Sequence, residues 1–157
     1  MHTGSRLKAI LGKTKPVAVH GPWSRAVAYR YLLAGPPGLG GPPQPLWGGA
    51  AKRIGARFTP PGSFDSIYLA WCSATALAAV QSLIFLSSGT LLARTPPWVL
   101  VTVDGVVSGI PDLTDSAALS SLGSNEQEIT GSWQLAPLPP TQMLAQLVFD
   151  SGHFSGI

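Results

Sequence analysis

Charged side chains are scarce in this sequence. Asp, Glu, Lys and Arg make up 11% of its 157 residues, less than half of the roughly 25% that is typical of soluble domains. The ten basic and seven acidic groups give a net charge of +3, and every basic residue except Arg94 lies at or before Arg57. There is no dense Lys/Arg run and no ladder of aromatic residues, so a nucleic-acid partner is not indicated. The charge distribution favours an anionic partner for the N-terminal half.

Cysteine is almost absent, since Cys72 is the single one. A disulfide within the chain is therefore excluded, and a zinc site would lack its thiolate ligands. The three histidines are scattered, so no metal site is predicted. The N-terminus offers only the short apolar run from Ala9 to Leu11, too little for the core of a signal peptide. These absences predict a cytoplasmic protein.

Long, uniformly apolar runs are also missing. No charge occurs between Asp65 and Arg94, and the stretch from Ala70 to Ala93 is long enough to cross a bilayer. It contains several Ser, Thr, Gln and Gly residues, however, and lacks the sustained Leu, Ile and Val content of a lipid-facing helix. We therefore predict a buried helix and no membrane partner.

The familiar motifs of nucleotide and hydrolase chemistry do not occur. The glycines from Gly38 to Gly41 do not form a GxGxxG pattern, and the chain has neither a GxxxxGK[ST] loop nor a GxSxG elbow. The length suits one domain. We predict a weakly ordered N-terminal arm over residues 1–20 and a domain over residues 21–157.

Local patterns predict an α+β fold with small mixed sheets and flanking helices. Apolar and β-branched runs predict strands, the middle one buried: Val17–Val19, Ser66–Ala70 and Trp98–Asp104. Capping residues and apolar spacing predict four helices. The first begins at Ser73 or Thr75, runs to about Ser88 and stops at Gly89; the second spans Ser116–Leu122 after Asp115; the third starts from a capping box of Ser124 and Gln127; the fourth is capped by Thr141 and closed by Gly152. The final residues, HFSGI, resemble the approach to another strand.

Glycine and proline are abundant, with 18 and 15 residues respectively. They dominate a long loop over residues 34–49. Such loops inside compact domains are usually either functional or disordered, and we favour function because this one leads directly into the segment from Arg53 to Arg57. They also surround Arg57 in the segment GARFTPPGSFDSIYLA, Gly55–Ala70. Arg57 in that segment and Arg25, which lies between two aromatic residues, could offer forked donors to a phosphate or carboxylate. The alternative is that each arginine satisfies loop carbonyls or packs its stem on a ring.

A series of short motifs in the same order resembles the RES domain family. These are PWSRAV from Pro22, GARFTPPGSFDSIYLA from Gly55, TALAAV from Thr75, IPDLTD from Ile110 and PTQMLAQLVFDSGHFSGI from Pro140. They are similar to that family's early arginine, its GGRWNPPG, YLA and TALAEV segments, and its LDLTD and PTQ…SGxFDGI segments. The similarity covers roughly residues 22–157.

The resemblance implies an ADP-ribosyltransferase-like fold and a toxin that degrades NAD in a bacterial toxin–antitoxin pair. Its implied partners are NAD as substrate or ligand and an Xre-type antitoxin protein; no prosthetic cofactor is implied. Association with another copy is predicted separately, because loss of the family's final strand would expose a sheet edge. By position, Arg25 matches the family's early arginine, Arg57 the arginine of GGRW, and Tyr68 the tyrosine of the YLA strand. From its apolar setting alone, Tyr68 is predicted to be a core residue.

Two departures from the family pattern bear on catalysis. Ala79 stands where the family has the glutamate of TALAEV, a carboxylate suited to stabilising positive charge on the ribose as nicotinamide leaves. The family also continues beyond SGxFDGI into a strand and a serine-bearing segment, whereas this sequence ends at Ile157. The sequence leaves open a truncated, a frameshifted and a naturally short form. It equally leaves open an NAD-degrading enzyme, of hydrolase or phosphorylase type, and an inactive protein that holds an antitoxin or a second copy.

Overall fold

The computed structural model describes residues 1–2, 4–29, 32, 44–81 and 97–157. Its helices and strands alternate irregularly along the chain, as in an α+β protein. The helices are α1 (Gly4–Leu11), α2 (Gly49–Ile54), α3 (Ser73–Gln81), α4 (Ser116–Ser121), α5 (Glu126–Thr130) and α6 (Pro140–Ser151), with a 3₁₀ turn at Trp133–Leu135. The strands are β1 (Pro16–His20), β2 (Trp23–Ala28), β3 (Trp98–Val103) and β4 (Val106–Pro111).

Among the described residues, the strands form two small two-stranded sheets, which confirms the predicted fold class. One sheet pairs β1 with β4, and the other pairs β2 with β3. β2 and β3 are antiparallel, with Trp23 opposite Val103 and Ala28 opposite Trp98. Because side chains alternate across a strand, Trp23, Arg25 and Val27 share one face of the β2–β3 sheet.

Two compact units divide the chain. The first consists of Met1–Val19, Gly49–Ser66 and Val106–Ile157, and the second of His20–Gly48 and Ile67–Gly105. Helices α1, α4, α5 and α6, with Leu122 directly after α4, enclose the core of the first unit. Its buried residues are Leu7, Leu11, Leu119, Leu122, Ile129, Leu144 and Val148. In the second unit, α3 packs on the β2–β3 sheet, where Val27, Ala28 and Ala76 are buried.

The first twenty residues are more ordered than predicted. In place of a weakly ordered arm they form α1 and β1, and Leu7 and Leu11 of α1 are 0% and 1% exposed. Two leucines four residues apart lie on the same helical face, so burial of that face holds the helix on the core. The short strand predicted at Val17–Val19 is confirmed as part of β1.

The predicted buried strand Ser66–Ala70 is wrong. Only Ala70 makes a bridge, with Ser24 of β2, while Ile67 and Tyr68 are 42% and 37% exposed. The β propensity of this segment is therefore not accompanied by burial on either face. The strand predicted at Trp98–Asp104 is confirmed as β3.

Helix boundaries follow the predictions with shifts at the caps. Asp115 caps α4 as predicted, and Gly152 closes α6 in the left-handed conformation with φ 62°. Asn125 caps α5 in place of Ser124, and Pro139 precedes α6 in place of Thr141. Helix α3 is described to Gln81, so its predicted continuation to Ser88 lies outside the described residues, as does most of the predicted loop over residues 34–49.

The helices of the described part of the chain are all too short or too polar to cross a membrane.

Candidate functional site

Arg25 lies in the middle of β2, opposite Val101 of β3. Its Nη2 donates a hydrogen bond to the main-chain oxygen of Trp47 at 2.7 Å. A regular strand therefore fixes the base of the side chain, and a carbonyl from a turn at residues 44–47 fixes its tip. An arginine held at both ends loses little further side-chain entropy when it binds a ligand.

The other terminal nitrogen of Arg25 is in an unusual environment. Nη1 is buried and has no hydrogen-bond partner among the residues that the structure describes. Burial lowers the pKa of Arg25 from its usual value, because removal from water disfavours the charged form. A buried donor without a partner costs about 1–3 kcal/mol, and more when it is charged. Such a group is a strong candidate for binding an anion.

The turn beside Arg25 forms a shallow depression of about 380 Å³ on the surface of the second unit, lined by Gln44, Pro45, Leu46 and Trp47. The main-chain N–H of Trp47 donates to the main-chain oxygen of Gln44 at 3.0 Å, which closes the turn. The depression is thus linked to Arg25 through the Trp47 carbonyl. Sequence reasoning did not single out Trp47; its one signal was an aromatic residue at the end of a Gly/Pro-rich loop.

The second unit is poor in acidic residues. Its two segments contain the arginines at positions 25, 30 and 94 but only one carboxylate, Asp104. Repulsion of an anion by neighbouring carboxylates is therefore small. This charge balance supports the assignment of an anion site to Arg25.

Arg57 lies in the first unit, in a tight turn after α2. The turn is closed by two reciprocal main-chain hydrogen bonds between Ala56 and Thr59, at 2.9 and 3.0 Å. It is entered through Gly55, whose φ of +82° is accessible to glycine at little cost. A Cβ on Gly55 would lie 2.9 Å from the Pro61 side chain. Glycine is therefore required here by both conformation and space.

The side chain of Arg57 caps another element. Its Nη1 donates to the main-chain oxygens of Ile129 and Gly131, both at 2.8 Å, at the end of α5. The last carbonyls of a helix lack helical partners, and an arginine at the C-terminus is a common solution; the Gly131 oxygen also accepts from the main-chain N–H of Trp133 at 2.9 Å. This is the bonding that the sequence analysis weighed as the alternative to ligand binding. The prediction that Arg57 binds a ligand remains a prediction.

Helix α6 holds the Arg57 turn from the other side. Thr141, 0% exposed, donates its hydroxyl to the Arg57 oxygen at 2.7 Å. Gln142, also buried, donates Nε2 to the Ala56 oxygen at 2.8 Å. Both are functional polar residues that sequence reasoning missed, although two polar side chains at the start of an otherwise apolar helical face were a usable signal. The turn, α5 and α6 form one hydrogen-bonded assembly.

Tyr68 and Ala79 both belong to the second unit. Tyr68 is 37% exposed, so its side chain is accessible and the prediction of a core residue is wrong. Ala79 is exposed on α3, while Ala76 of the same helix is buried. Ala79 thus lies on the outward side of α3, where a carboxylate would be tolerated.

The three predicted ligand residues do not fall in one compact unit. Arg25 and Tyr68 belong to the second unit, and Arg57 belongs to the first. Within the second unit, the bridge between Ala70 and Ser24 brings the segment of Tyr68 beside the strand of Arg25. The described residues include no cluster of three His, Cys, Asp or Glu side chains that could hold a metal ion.

No family model matches the chain, and no curated protein sequence matches it significantly. Its structure is similar to a chain in the crystal structure of the M. tuberculosis MbcT–MbcA toxin–antitoxin complex. The TM-score is 0.68 and the sequence identity is 18%, over 96% of this chain and 74% of that chain. At this identity the match shows that the two chains share a fold.

Proposed function

We propose that this protein is a RES-type, toxin-like protein that binds NAD in a bacterial toxin–antitoxin module. The observation that carries the proposal is Arg25, which offers a buried guanidinium nitrogen without a partner. The fold, shared with a chain of a toxin–antitoxin complex, supports the class. The collinear motifs of the sequence support NAD as the ligand.

NAD suits the chemistry of Arg25. Its pyrophosphate is a doubly charged group, and a guanidinium binds phosphate oxygens through charge-assisted hydrogen bonds that are about twice as strong as neutral ones. Arg25 would neutralise part of that charge and satisfy its own free donor. Tyr68, partly exposed, would contribute a ligand contact by family position. Arg57 is proposed to act through the turn that it stabilises.

Cleavage of NAD makes a further demand. As nicotinamide leaves, positive charge develops on the ribose, and a nearby carboxylate lowers that barrier. Ala79 supplies no charge at the corresponding family position. We therefore expect the protein to bind NAD more readily than it cleaves it. Any cleavage would be hydrolysis or phosphorolysis.

A second candidate function follows from Ala79. A toxin-like protein without the glutamate can serve as a non-catalytic partner that holds an antitoxin or a second copy. An Xre-type, helix-turn-helix antitoxin encoded beside this gene would be the predicted partner. Co-purification of the two proteins without release of nicotinamide would favour this role over the enzyme.

The decisive experiment is thermal unfolding of the purified protein with and without NAD, together with chromatographic detection of nicotinamide. We expect NAD to raise the melting temperature, because a ligand that binds only the folded state stabilises it by mass action. Arg25→Gln should abolish the rise. Arg6→Gln is the matched control, since Arg6 is exposed on α1 in the other unit.

Three results would be informative. A rise in melting temperature with nicotinamide release supports the enzyme, and a rise without release supports the binding protein. If NAD at millimolar concentration neither raises the melting temperature nor is consumed, the proposed function is wrong.

A further inference from the structure

We infer that Trp47 is a ligand-contacting residue whose indole ring stacks against an aromatic ring of a dinucleotide held by Arg25. The inference deepens the proposed function and rests on it. It assigns to the turn at residues 44–47 the class of ligand group that it binds, a planar base.

Trp47 lies directly beside the guanidinium group of Arg25. Its main-chain oxygen accepts the Arg25 Nη2 hydrogen bond at 2.7 Å. Nη1 and Nη2 are attached to the same carbon, so the free donor lies beside the Trp47 main chain. A ligand that reaches Nη1 must therefore come close to Trp47.

Trp47 is partly exposed and lines a depression of about 380 Å³ with Pro45, Leu46 and Gln44. Two apolar neighbours and an indole suit the face of an aromatic ring, while the exposed Gln44 amide can donate to and accept from polar atoms on a base edge. Ligand sites commonly combine such apolar walls with a few polar groups.

The aromatic surface of Trp47 lies beside the positive charge of Arg25. A phosphate contact from arginine beside an aromatic stacking surface is the pairing that nucleotides require, since they carry an anionic group and a π-face together. The absence of any Asp or Glu from residues 20–48 leaves this surface without a repelling carboxylate. A nucleotide matches the surface better than an isolated inorganic anion does.

The burial of Nη1 adds a condition. Because this nitrogen is buried, the atoms that cover it must shift when an anion binds.

The test measures dissociation constants for NAD and for inorganic pyrophosphate by titration calorimetry. If one ligand binds too weakly for direct titration, its dissociation constant is obtained by competition with the other. Base stacking changes affinity by roughly 5- to 150-fold. We expect Trp47→Leu to weaken NAD binding about tenfold, toward the lower part of that range. Trp47→Phe, which keeps a ring, should stay within about threefold. Pyrophosphate binding should be unchanged in both variants and lost in Arg25→Gln.

Trp71→Leu is the matched control, because Trp71 is 70% exposed in the same unit, contacts the Trp23 ring and is not among the residues proposed to bind the ligand. Trp47→Met supplies the same comparison if the leucine variant loses its folded circular dichroism spectrum. ADP-ribose carries only the adenine of NAD, and nicotinamide mononucleotide carries only its nicotinamide. Titration with each of them identifies the aromatic ring that stacks. The ligand whose affinity falls in Trp47→Leu carries that ring.

Several outcomes would overturn the inference. If the wild-type protein binds NAD and Trp47→Leu binds it equally well, stacking is wrong while the proposed function stands. An equal loss of pyrophosphate affinity would show that Trp47 acts only by positioning Arg25, and an equal loss in Trp71→Leu would show an unspecific effect. If the wild-type protein binds no NAD, the proposed function fails together with the inference.

Discussion

Arg25 and Arg57 have the same side chain but opposite hydrogen-bonding situations. Nη1 of Arg57 is bound to two carbonyls of the protein, whereas Nη1 of Arg25 is buried without a partner among the described residues. These contacts give Arg57 a stabilising role and support the proposed ligand-binding role of Arg25. Sequence reasoning gave both roles equal weight at both positions, because the two arginines stand in similar Gly-, Pro- and aromatic-rich surroundings.

Replacement of Arg57 is expected to destabilise the fold. Arg57→Ala removes the donor to Ile129 and Gly131 and should lower the free energy of unfolding by about 1–2 kcal/mol, because the Ile129 carbonyl loses this hydrogen bond while Gly131 keeps only the one from the Trp133 main-chain N–H. Urea denaturation followed by circular dichroism measures the change. Lys52→Ala, at an exposed ion pair with Asp65, should stay within about 0.5 kcal/mol. A loss in Arg57→Ala no larger than in this control would contradict the capping role.

Gly55 offers a test of conformation against contact. Gly55 and Gly62 have nearly the same φ, +82° and +80°, but only at Gly55 would a Cβ meet a neighbour, Pro61, at 2.9 Å. Both alanine variants should lose about 1 kcal/mol through the left-handed conformation. Gly55→Ala should lose roughly 1–3 kcal/mol more, since overpacking adds its own cost. Equal unfolding free energies for the two variants would show that Pro61 moves aside freely.

At the scale of elements, the Arg57 turn is supported by α5 and by the first turn of α6. Thr141 was predicted to be a helix cap, a reasonable use of threonine near the start of a helix. Pro139 takes that position, with Pro140 as the first helical residue. Thr141 is released from capping and bonds the Arg57 oxygen. The residue that caps α6 could not be predicted from the local sequence, because the contact that Thr141 makes instead is with a residue 84 positions away.

Thr141→Val tests whether the hydrogen bond or the packing matters at this junction. Valine keeps the shape of threonine and removes the buried hydroxyl, so the Arg57 oxygen loses its partner. We expect a decrease of about 1–2 kcal/mol in the free energy of unfolding, measured by urea denaturation. Thr130→Val is the control, because its hydroxyl bonds the Glu126 oxygen in an exposed setting. An effect equal to that control would mean that the contact with the turn contributes little.

Over the whole molecule, prediction was most successful where local chemistry decides the structure. The α+β class, β3 and the caps Asp115 and Gly152 followed from propensity and capping residues. The order of the N-terminal residues and the exposure of Tyr68 did not, because both depend on what the rest of the chain packs against them. For the site, sequence identified Arg25 as a candidate, while its contact with Trp47 required the structure, since 22 residues separate the two.

NAD binding and NAD cleavage make different demands on the intact protein, and one substitution on α3 tests them separately. Ala79→Glu adds a carboxylate on an exposed face of α3, at the position that the resemblance to RES domains assigns to their glutamate. Residues that act together in catalysis contribute non-additively, so one restored group should recover little activity. We expect an NAD affinity within about threefold of the wild type, because the single added charge is on an exposed position and is therefore screened by solvent. Nicotinamide release should rise by less than about tenfold.

Ala78→Glu is the matched control for this variant. Ala78 is also exposed on α3 and is rotated from Ala79 by about 100°, so the same charge points elsewhere. A small rise in nicotinamide release that is specific to Ala79→Glu would place this position next to the reacting ribose. Equal rates in the two variants would remove Ala79 from the proposed site. A gain of several hundredfold would show that the missing carboxylate alone separates this protein from an active NAD-degrading enzyme.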